Sequence, residues 1–194
     1  MTVTELRTER LTLRGWRDTD RAAFHEVNAD PAVMATIGPV MTRGQSDAFM
    51  NRIVNHFDEP GFGVWCVEFE GRVLGYTGFM VPWFRDGVEI GWRLRSDHWG
   101  RGIAPEAARE CLRHGFETIG FDEILSFTAV TNANSRRVMD KIGLRRDVDG
   151  DFDHPGLAED DPLRPHVLYR LTRADWRLYT TPADPAPGEY RERS

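Results

Sequence analysis

The chain has 194 residues, 40% of them hydrophobic and 29% charged, and this length fits one globular domain with its own core. Its formal net charge of −6, with Lys and Arg interspersed among acids, disfavours a nucleic-acid partner. No apolar run approaches the roughly 20 residues that cross a bilayer, and residues 1–10 hold no apolar signal region, so we expect a cytoplasmic protein without a membrane partner.

The first part of the chain predicts one strand and two helices. Residues 9–16 alternate apolar and polar side chains, which is the period of a half-buried strand. Asp18 offers an N-cap for a helix whose apolar positions extend to Val27. Thr42 and Gln45 form the capping box of a second helix. The apolar stripe of that helix consists of Phe49, Met50, Ile53, Val54 and Phe57.

The middle of the chain predicts an antiparallel meander. Residues 62–70 and 72–80 are strand-like and meet at a turn around Glu70 and Gly71, and residues 86–94 follow as a further strand. Cys66 and Cys111 lie on apolar segments, far from any His at metal-ligand spacing. We therefore interpret both thiols as core residues and predict no metal site.

The hydrophobic period changes from strand to helix just after Gly102. The remaining predicted elements are a helix over residues 105–119, a fifth strand over 123–130, a helix from about Asn134 to Ile142 with Gly143 as C-cap, a short strand after Leu144, a last strand over 166–171, and a terminal turn capped by Thr172. Residues 1–7 are predicted to be a flexible N-terminus, and residues 179–194, rich in Pro and charge, a disordered tail.

The segment WGRGIAPE, residues 99–106, joins the end of a strand to the start of a helix. Two glycines let backbone N–H groups approach a ligand, Pro105 suits a first helical turn, and a helix N-terminus attracts negative charge, so a diphosphate would fit. Ordinary strand-to-helix turns use the same residues. The G-x-x-x-x-G-K-[ST] loop is absent, and Glu106 stands where the dinucleotide fingerprint needs its third glycine, which disfavours an ATP or NAD site.

The loop resembles the acyl-CoA signature of the GNAT superfamily, [QR]-x-x-G-x-[GA], with Gly102 and Ala104 at the two small positions. Trp99 departs from the first position, but an aromatic-Gly-basic-Gly sequence is usual in the branch that resembles ribosomal-protein alanine N-acetyltransferases (RimJ/RimL-like). TERLTLRGW (8–16), VEIGWRL (88–94) and TNANSRRVMDKIGL (131–144) resemble that branch in order and spacing. The resemblance covers about residues 8–178. It implies an α/β (α+β) fold in which a mixed, twisted central sheet is splayed between its fourth and fifth strands, with helices on both faces.

This resemblance implies an N-acetyltransferase that uses acetyl-CoA as co-substrate and no metal, with the amine attacking directly in a ternary complex. The cofactor-binding residues that it implies are Gly100, Arg101, Gly102, Ile103 and Ala104 for the pyrophosphate, Trp92, Arg93 and Leu94 for the pantetheine arm, and Asn132 as a hydrogen-bond partner of pantetheine. Asn132 is equally suited to a turn or helix entry. The resemblance also allows a homodimer.

Two residues are candidates for catalysis. Glu89 lies on the strand beside the thioester, where several branches place a general base, although a one-residue change of register would turn it to the other face. Its alternative is a solvated or ion-paired strand carboxylate. Ser135 matches the serine that protonates the departing thiolate in the ribosomal branch, and its alternative is a helix cap.

The acceptor amine is left open by the sequence, with a protein N-terminus and small-molecule amines both suitable. A loop with seven acids would attract a cationic acceptor, or be an ordinary solvated loop; these acids are Asp147, Asp149, Asp151, Asp153, Glu159, Asp160 and Asp161. A calcium loop is disfavoured because His154 replaces its glycine. Two other functions stay open: a non-catalytic acyl-CoA-binding or sensing module, and a transferase of a longer acyl group such as succinyl, for which Arg93 would be the basic residue.

Overall fold

The computed structural model describes residues 3–57 and 61–180. Its strands are β1 (Leu6–Arg7), β2 (Leu11–Arg14), β3 (Val64–Phe69), β4 (Arg72–Met80), β5 (Glu89–Leu94), β6 (Glu123–Ala129), β7 (Arg145–Asp153) and β8 (Pro165–Thr172). Its helices are α1 (Arg21–Asn28), α2 (Pro31–Met34), α3 (Arg43–His56), α4 (Ile103–Arg113), α5 (Ala133–Lys141) and α6 (Arg173–Thr180). Within these ranges, no helix combines the length and the apolar character that crossing a membrane requires.

The strands form one sheet in the order β1-β2-β3-β4-β5-β6-β8-β7. Strands β5 and β6, the fourth and fifth of the predicted strands, run parallel, while every other neighbouring pair is antiparallel. In the described residues β5 and β6 share a single register pair, Glu89 with Leu125, whereas β4 and β5 share six. The sheet therefore opens between β5 and β6, as the resemblance implied.

Helices cover both faces of the sheet. On one face α4 buries Ala107, Ala108, Cys111 and Leu112 in the main core. On the other face Phe24 of α1 and Met50 and Ile53 of α3 pack with Val64 and Tyr76 of the sheet. Full burial of each large apolar side chain contributes roughly 1.5–3 kcal/mol to the free energy of folding. The helices packed on both faces therefore stabilise the sheet on either side of the opening.

Both cysteines belong to the core, as predicted. Cys66 and Cys111 are free and fully buried. Burial raises the pKa of the Cys66 thiol to about 12, which leaves it protonated and unreactive at neutral pH.

Several predicted boundaries at the N-terminal side need correction. Leu6–Arg7 form a strand rather than a flexible end, because Leu6 is buried opposite Leu13. Asp18 is not an N-cap: the chain first makes a 3-10 turn over Asp18–Asp20, and the Asp20 carboxylate accepts the Arg17 N–H. The capping box of Thr42 and Gln45 is confirmed. On the helix that follows, Val54 is exposed and so lies off the predicted apolar stripe.

The C-terminal half follows the predicted order with longer elements. Helix α4 begins at Ile103, two residues earlier than predicted, and its last part, His114–Ile119, is a π-helix. Ile142 is the C-cap of α5, and Gly143 follows it with φ 89°. Strand β7 is nine residues long instead of short. Helix α6 includes residues 179 and 180 of the predicted tail, and residues 181–194 lie outside the described residues.

Candidate active site

Strand β5 presents free backbone groups to the opening in the sheet. The Arg95 N–H donates to the Leu74 carbonyl of the neighbouring antiparallel strand at 2.8 Å. Alternate residues of such a ladder direct their N–H and C=O groups to the same neighbour, so Arg93 faces β4 while Trp92 and Leu94 face β6. Among the described residues, β6 pairs with β5 only at Glu89, so its backbone bonds neither of these two. Of the three residues expected to pair with pantetheine, Trp92 offers its backbone N–H and C=O. Leu94 offers its N–H only, because its carbonyl accepts the Trp99 Nε1–H at 2.9 Å. Arg93 directs its backbone groups to β4.

The glycine loop turns the chain from the end of β5 into α4. Gly100 and Gly102 have φ values of 75° and 77°, a left-handed conformation that glycine adopts without strain. Gly102 is the N-cap of α4 and has no side chain that could cap the helix. The first intrahelical bond runs from Glu106 N–H to Gly102 O. The N–H groups of Ile103 and Ala104 therefore have no helical acceptor and are available to an anion.

A brace from the N-terminal hairpin, not predicted from the sequence, fixes this loop. Arg10 donates from Nε to the Glu106 carboxylate at 2.6 Å and from Nη1 to the Arg101 carbonyl at 3.1 Å. Thr8 Oγ1 donates to the same carboxylate at 2.5 Å. Glu106 is thus occupied by Thr8 and Arg10, and the guanidinium adds positive charge beside the loop. A separation of 96 residues between Arg10 and Glu106 leaves no local pattern that sequence reasoning could use.

A cavity of about 430 Å³ runs from the loop along the opening in the sheet. The predicted cofactor residues that line it are Trp92, Arg93, Leu94, Gly100, Gly102, Ile103, Ala104 and Asn132, while Arg101 is exposed and does not line it. Arg137 and Lys141 of α5 line its wall as well and were missed in the sequence. These cations give an otherwise acidic protein a local site for anionic groups.

A second cavity of about 220 Å³ adjoins the first. Six residues line both cavities and mark the junction: Thr36, Ile37, Trp92, Arg93, Asn132 and Ser135. The lining of the second cavity mixes polar and apolar residues, and its apolar part comes from Ile37, Met80, Phe127, Met139, Leu157 and Leu163. A small ligand in the second cavity would therefore meet a ligand in the first one at this junction.

Glu89 lines the second cavity on a regular strand. It pairs with Met80 of β4 without a bulge, which places its side chain on the same face as Gly91 and Arg93. The register question raised by the sequence is thereby answered. Glu89 forms no ion pair with a described residue, and desolvation by burial raises its pKa to about 8. A carboxyl group with this pKa exchanges protons near neutral pH, as a general base requires.

Asn132 and Ser135 come together at the start of α5. The Asn132 side chain caps the helix by accepting the Ser135 N–H at 3.1 Å, and its Nδ2 donates to Thr128 Oγ1 at 2.9 Å. The helix-entry role considered for Asn132 is therefore present, and one Nδ2 hydrogen remains for a ligand. Ser135 does not cap the helix, and in the described part of the chain its hydroxyl makes no hydrogen bond.

Two histidines in the second cavity were not identified from the sequence. The rings of His154 and His166 lie with centroids 5.0 Å apart. His166 Nδ1 contacts the Arg164 carbonyl at 3.0 Å and must carry the proton there, which leaves Nε2 as an acceptor in the neutral ring. His154 Nδ1 accepts the Gly156 N–H at 3.1 Å. Burial lowers the pKa of both rings, so both are neutral at pH 7.

Three of the seven acids of the predicted acidic loop are paired with arginines, and these three lie on strand β7. Asp147 pairs with Arg170 at 2.5 Å, Asp151 pairs with Arg146, and Asp153 lies 3.3 Å from Arg164. None of the seven acids lines either cavity within the described residues, whereas Leu157 of the same loop does. An acceptor bound in either cavity would therefore not contact these acids directly.

Known proteins resemble this chain over most of its length. A family model described as "Acetyltransferase (GNAT) domain" matches residues 10–145. FsC-acetyl coenzyme A-N(2)-transacetylase of Aspergillus fumigatus is 31% identical and covers 92% of this chain and 80% of its own. A GNAT-family acetyltransferase structure from Bacillus anthracis is 27% identical with a TM-score of 0.74, over 88% of this chain and 99% of that one. The ribosomal L7/L12 alpha-N-protein acetyltransferase RimL, solved with coenzyme A, shares the fold at 13% identity and a TM-score of 0.73, over 87% and 98% of the two chains.

Proposed function

Because the chain belongs to the family of GNAT acetyltransferases, we propose that it transfers the acetyl group of acetyl-CoA to a primary amine by direct attack in a ternary complex. It is an N-acetyltransferase, and acetyl-CoA is the co-substrate of its family. One observation carries the finer proposal: a cavity beside the glycine loop and strand β5 shares lining residues with a second cavity that is lined by Glu89.

The first cavity fits the cofactor. The N–H groups of Ile103 and Ala104 hold the pyrophosphate at the start of α4, with Gly100 and Gly102 allowing close approach. Trp92 and Leu94 bond the pantetheine arm as a missing strand would, and Asn132 donates its remaining Nδ2 hydrogen from the opposite wall. Arg137 and Lys141 suit the other phosphate groups of the cofactor.

The junction of the cavities fits the chemistry. Acetyl-CoA supplies the acyl group as a thioester, and the reaction forms an N–C bond while the C–S bond breaks. Glu89 takes the proton of the attacking amine, and the free Ser135 hydroxyl gives a proton to the departing thiolate. The Trp92 N–H, which has no partner on β6, polarises the thioester carbonyl. No acyl-enzyme is needed, because both substrates meet at one point.

The second cavity favours a small amine. Its volume is about 220 Å³, and its lining mixes apolar side chains with polar ones such as Glu89, His154 and His166. A small-molecule amine or a single N-terminal residue meets this requirement. The name of the Aspergillus fumigatus relative, an N(2)-transacetylase that uses acetyl coenzyme A, supports transfer of the acetyl group to a nitrogen.

Release of free thiol from acetyl-CoA tests the proposal. The full chain would be assayed with hydrophobic primary amines, amino-acid amides, short peptides with free N-termini and polyamines. We expect turnover with the first three groups and the slowest turnover with polyamines. Tight binding of acetyl-CoA by calorimetry without turnover on any amine would instead favour the sensing module.

A further inference from the structure

Two arginines are buried among the described residues, and only one of them has a counter-ion there. Arg14 and Arg93 are 5% and 7% exposed. Arg14 makes ion pairs of 2.8 Å with Asp20 and with Glu68. In the described parts of the chain, no carboxylate oxygen lies within 4.0 Å of Arg93. Burial of an unpaired guanidinium is costly, so a bound anion would stabilise Arg93 as the two acids stabilise Arg14.

Neutral groups orient Arg93 without compensating its charge. Nη1 donates to Asn28 Oδ1 at 2.6 Å, and Asn28 in turn donates to Ser46. The guanidinium carbon lies 5.2 Å from the Phe49 ring centre and 5.5 Å from that of Tyr76. These ring contacts attract a cation only weakly compared with a carboxylate. Nε is buried with no hydrogen-bond partner in the described structure.

The position of Arg93 connects this charge to both substrates. Arg93 lines the first and the second cavity at the junction, and its side chain leaves the strand on the face that also presents Glu89. An acyl group arriving on pantetheine and an acceptor entering the second cavity both come to this point. A planar guanidinium with unused donors is the side chain best suited to bind a carboxylate there.

We propose that Arg93 binds a carboxylate that enters with a substrate, either the end of a dicarboxylic acyl group such as succinyl or the carboxylate of an amino-acid acceptor. This inference rests on the proposed function of the two cavities. The inference adds a substrate class, because the acyl donor or the acceptor would then carry a carboxylate.

Two pairs of ligands, tested on the full chain, distinguish a carboxylate on the acyl group from a carboxylate on the acceptor. Calorimetry would compare succinyl-CoA with acetyl-CoA, and, on protein saturated with CoA, L-phenylalanine with L-phenylalaninamide. We expect one pair to favour its carboxylate member by about 10-fold or more, the magnitude of a charge-assisted hydrogen bond. R93Q should abolish that preference, measured as the ratio of the two Kd values within the pair, so that any effect common to both members cancels.

Matched variants keep the result interpretable. R95Q replaces the arginine two residues after Arg93, which already pairs with Glu26 and Asp97. This control variant should keep the preference for the carboxylate member. If R93Q does not fold, R93K keeps the charge without the planar fork and should reduce the preference. Equal affinities within both pairs for the wild type, or a preference that survives in R93Q and R93K, would overturn the inference. Failure of the wild type to bind acetyl-CoA at all would refute the proposed function instead.

Discussion

The Asn132 side chain accepts the backbone N–H of Ser135, so the two residues at the junction of the cavities are joined across the first turn of α5. One amide thereby serves the helix through Oδ1 and, in the proposed function, the cofactor through Nδ2. These roles are separable, because a serine can cap a helix but cannot donate from the same position.

N132S is therefore expected to weaken acetyl-CoA binding while it keeps the helix cap. The Nδ2 bond to Thr128 is lost, so the free energy of unfolding should fall by about 0.5–1.5 kcal/mol, less than in N132A, which loses the cap as well. The lost donor should raise the Kd for acetyl-CoA by about three- to tenfold, the value of one neutral hydrogen bond. Calorimetry and chemical denaturation measure the two effects. N132A should lose both, and equal binding by N132S and wild type would leave Asn132 as a helix cap alone.

S135A tests the proposed proton donor. The free hydroxyl has no structural partner among the described residues, so the fold and the Kd for acetyl-CoA should not change. The turnover number should fall about 10-fold near pH 7, where the departing thiolate benefits from a proton, and the deficit should shrink above a thiol pKa of about 8.5. A pH-independent deficit would mean that Ser135 acts by positioning the substrate.

E89Q tests the base through the pH profile. A carboxyl group with a pKa of about 8 accepts protons only when deprotonated, so wild-type turnover should rise with pH through about 8. E89Q should lose this limb and about 10² or more of the turnover number. H166Q is the matched control, since a histidine with a lowered pKa would give a limb below about 6.5. A limb that disappears in H166Q and persists in E89Q would transfer the role to His166.

The pH dependence of stability is a second test of the raised pKa of Glu89. The pKa of Glu89 is raised on folding from 4.5 to about 8, so the native state binds more protons than the unfolded state between these values. The Glu89 contribution is fully present below pH 4.5 and is lost as pH rises through about 8. The melting temperature of wild type relative to E89Q should therefore fall from pH 5 to pH 8. A constant difference would show that the folded-state pKa is near normal.

Sequence patterns reached the parts of the fold that depend on near neighbours. The turn at Glu70 and Gly71 and the cap at Thr42 follow from local backbone chemistry and appear where predicted. Strand β7 was underestimated because its sequence RRDVDGDFD reads as a charged loop, although Arg170 and Arg146 neutralise two of its acids. Ion pairs with a distant strand leave no periodic signal.

The candidate site also has features that follow from local sequence motifs and features that depend on tertiary contacts. A motif of few residues predicts the glycine turn at Gly102 and the strand that carries Trp92, and both residues line the first cavity. The His154 and His166 pair, the Arg10 brace and the uncompensated charge of Arg93 arise from tertiary contacts. Arg10 and Arg93 contact residues that are distant in the sequence, and the two histidines meet across the β7–β8 ladder, so no spacing rule identifies these contacts.

Paired glycine variants separate strain from cofactor binding. Gly102 and Gly71 have φ values of 77° and 76°, and an alanine Cβ meets no backbone within 4 Å at either position. G102A and G71A should each lower the free energy of unfolding by about 1–2 kcal/mol. Only G102A should weaken acetyl-CoA binding, by about 10-fold or more, because it shifts N–H groups that bond a charged phosphate. Equal Kd values for the two variants would remove the loop from the cofactor site.

The remaining prediction concerns the three acids at the end of the acidic loop. E159Q, D160N and D161N together remove three negative charges, while the amide oxygen at 161 can still accept the Leu163 N–H that Asp161 bonds at 2.8 Å. None of these side chains lines a cavity in the described structure, and exposed charges are screened beyond about 8 Å at physiological ionic strength. The acceptor KM of the triple variant should therefore match wild type within about twofold at physiological salt and differ little at low salt. Kinetics at both salt concentrations, on the amine that turns over fastest, measure this. A KM that rises several-fold at low salt only would mean that the loop attracts a cationic acceptor over a distance, as its charge alone first indicated.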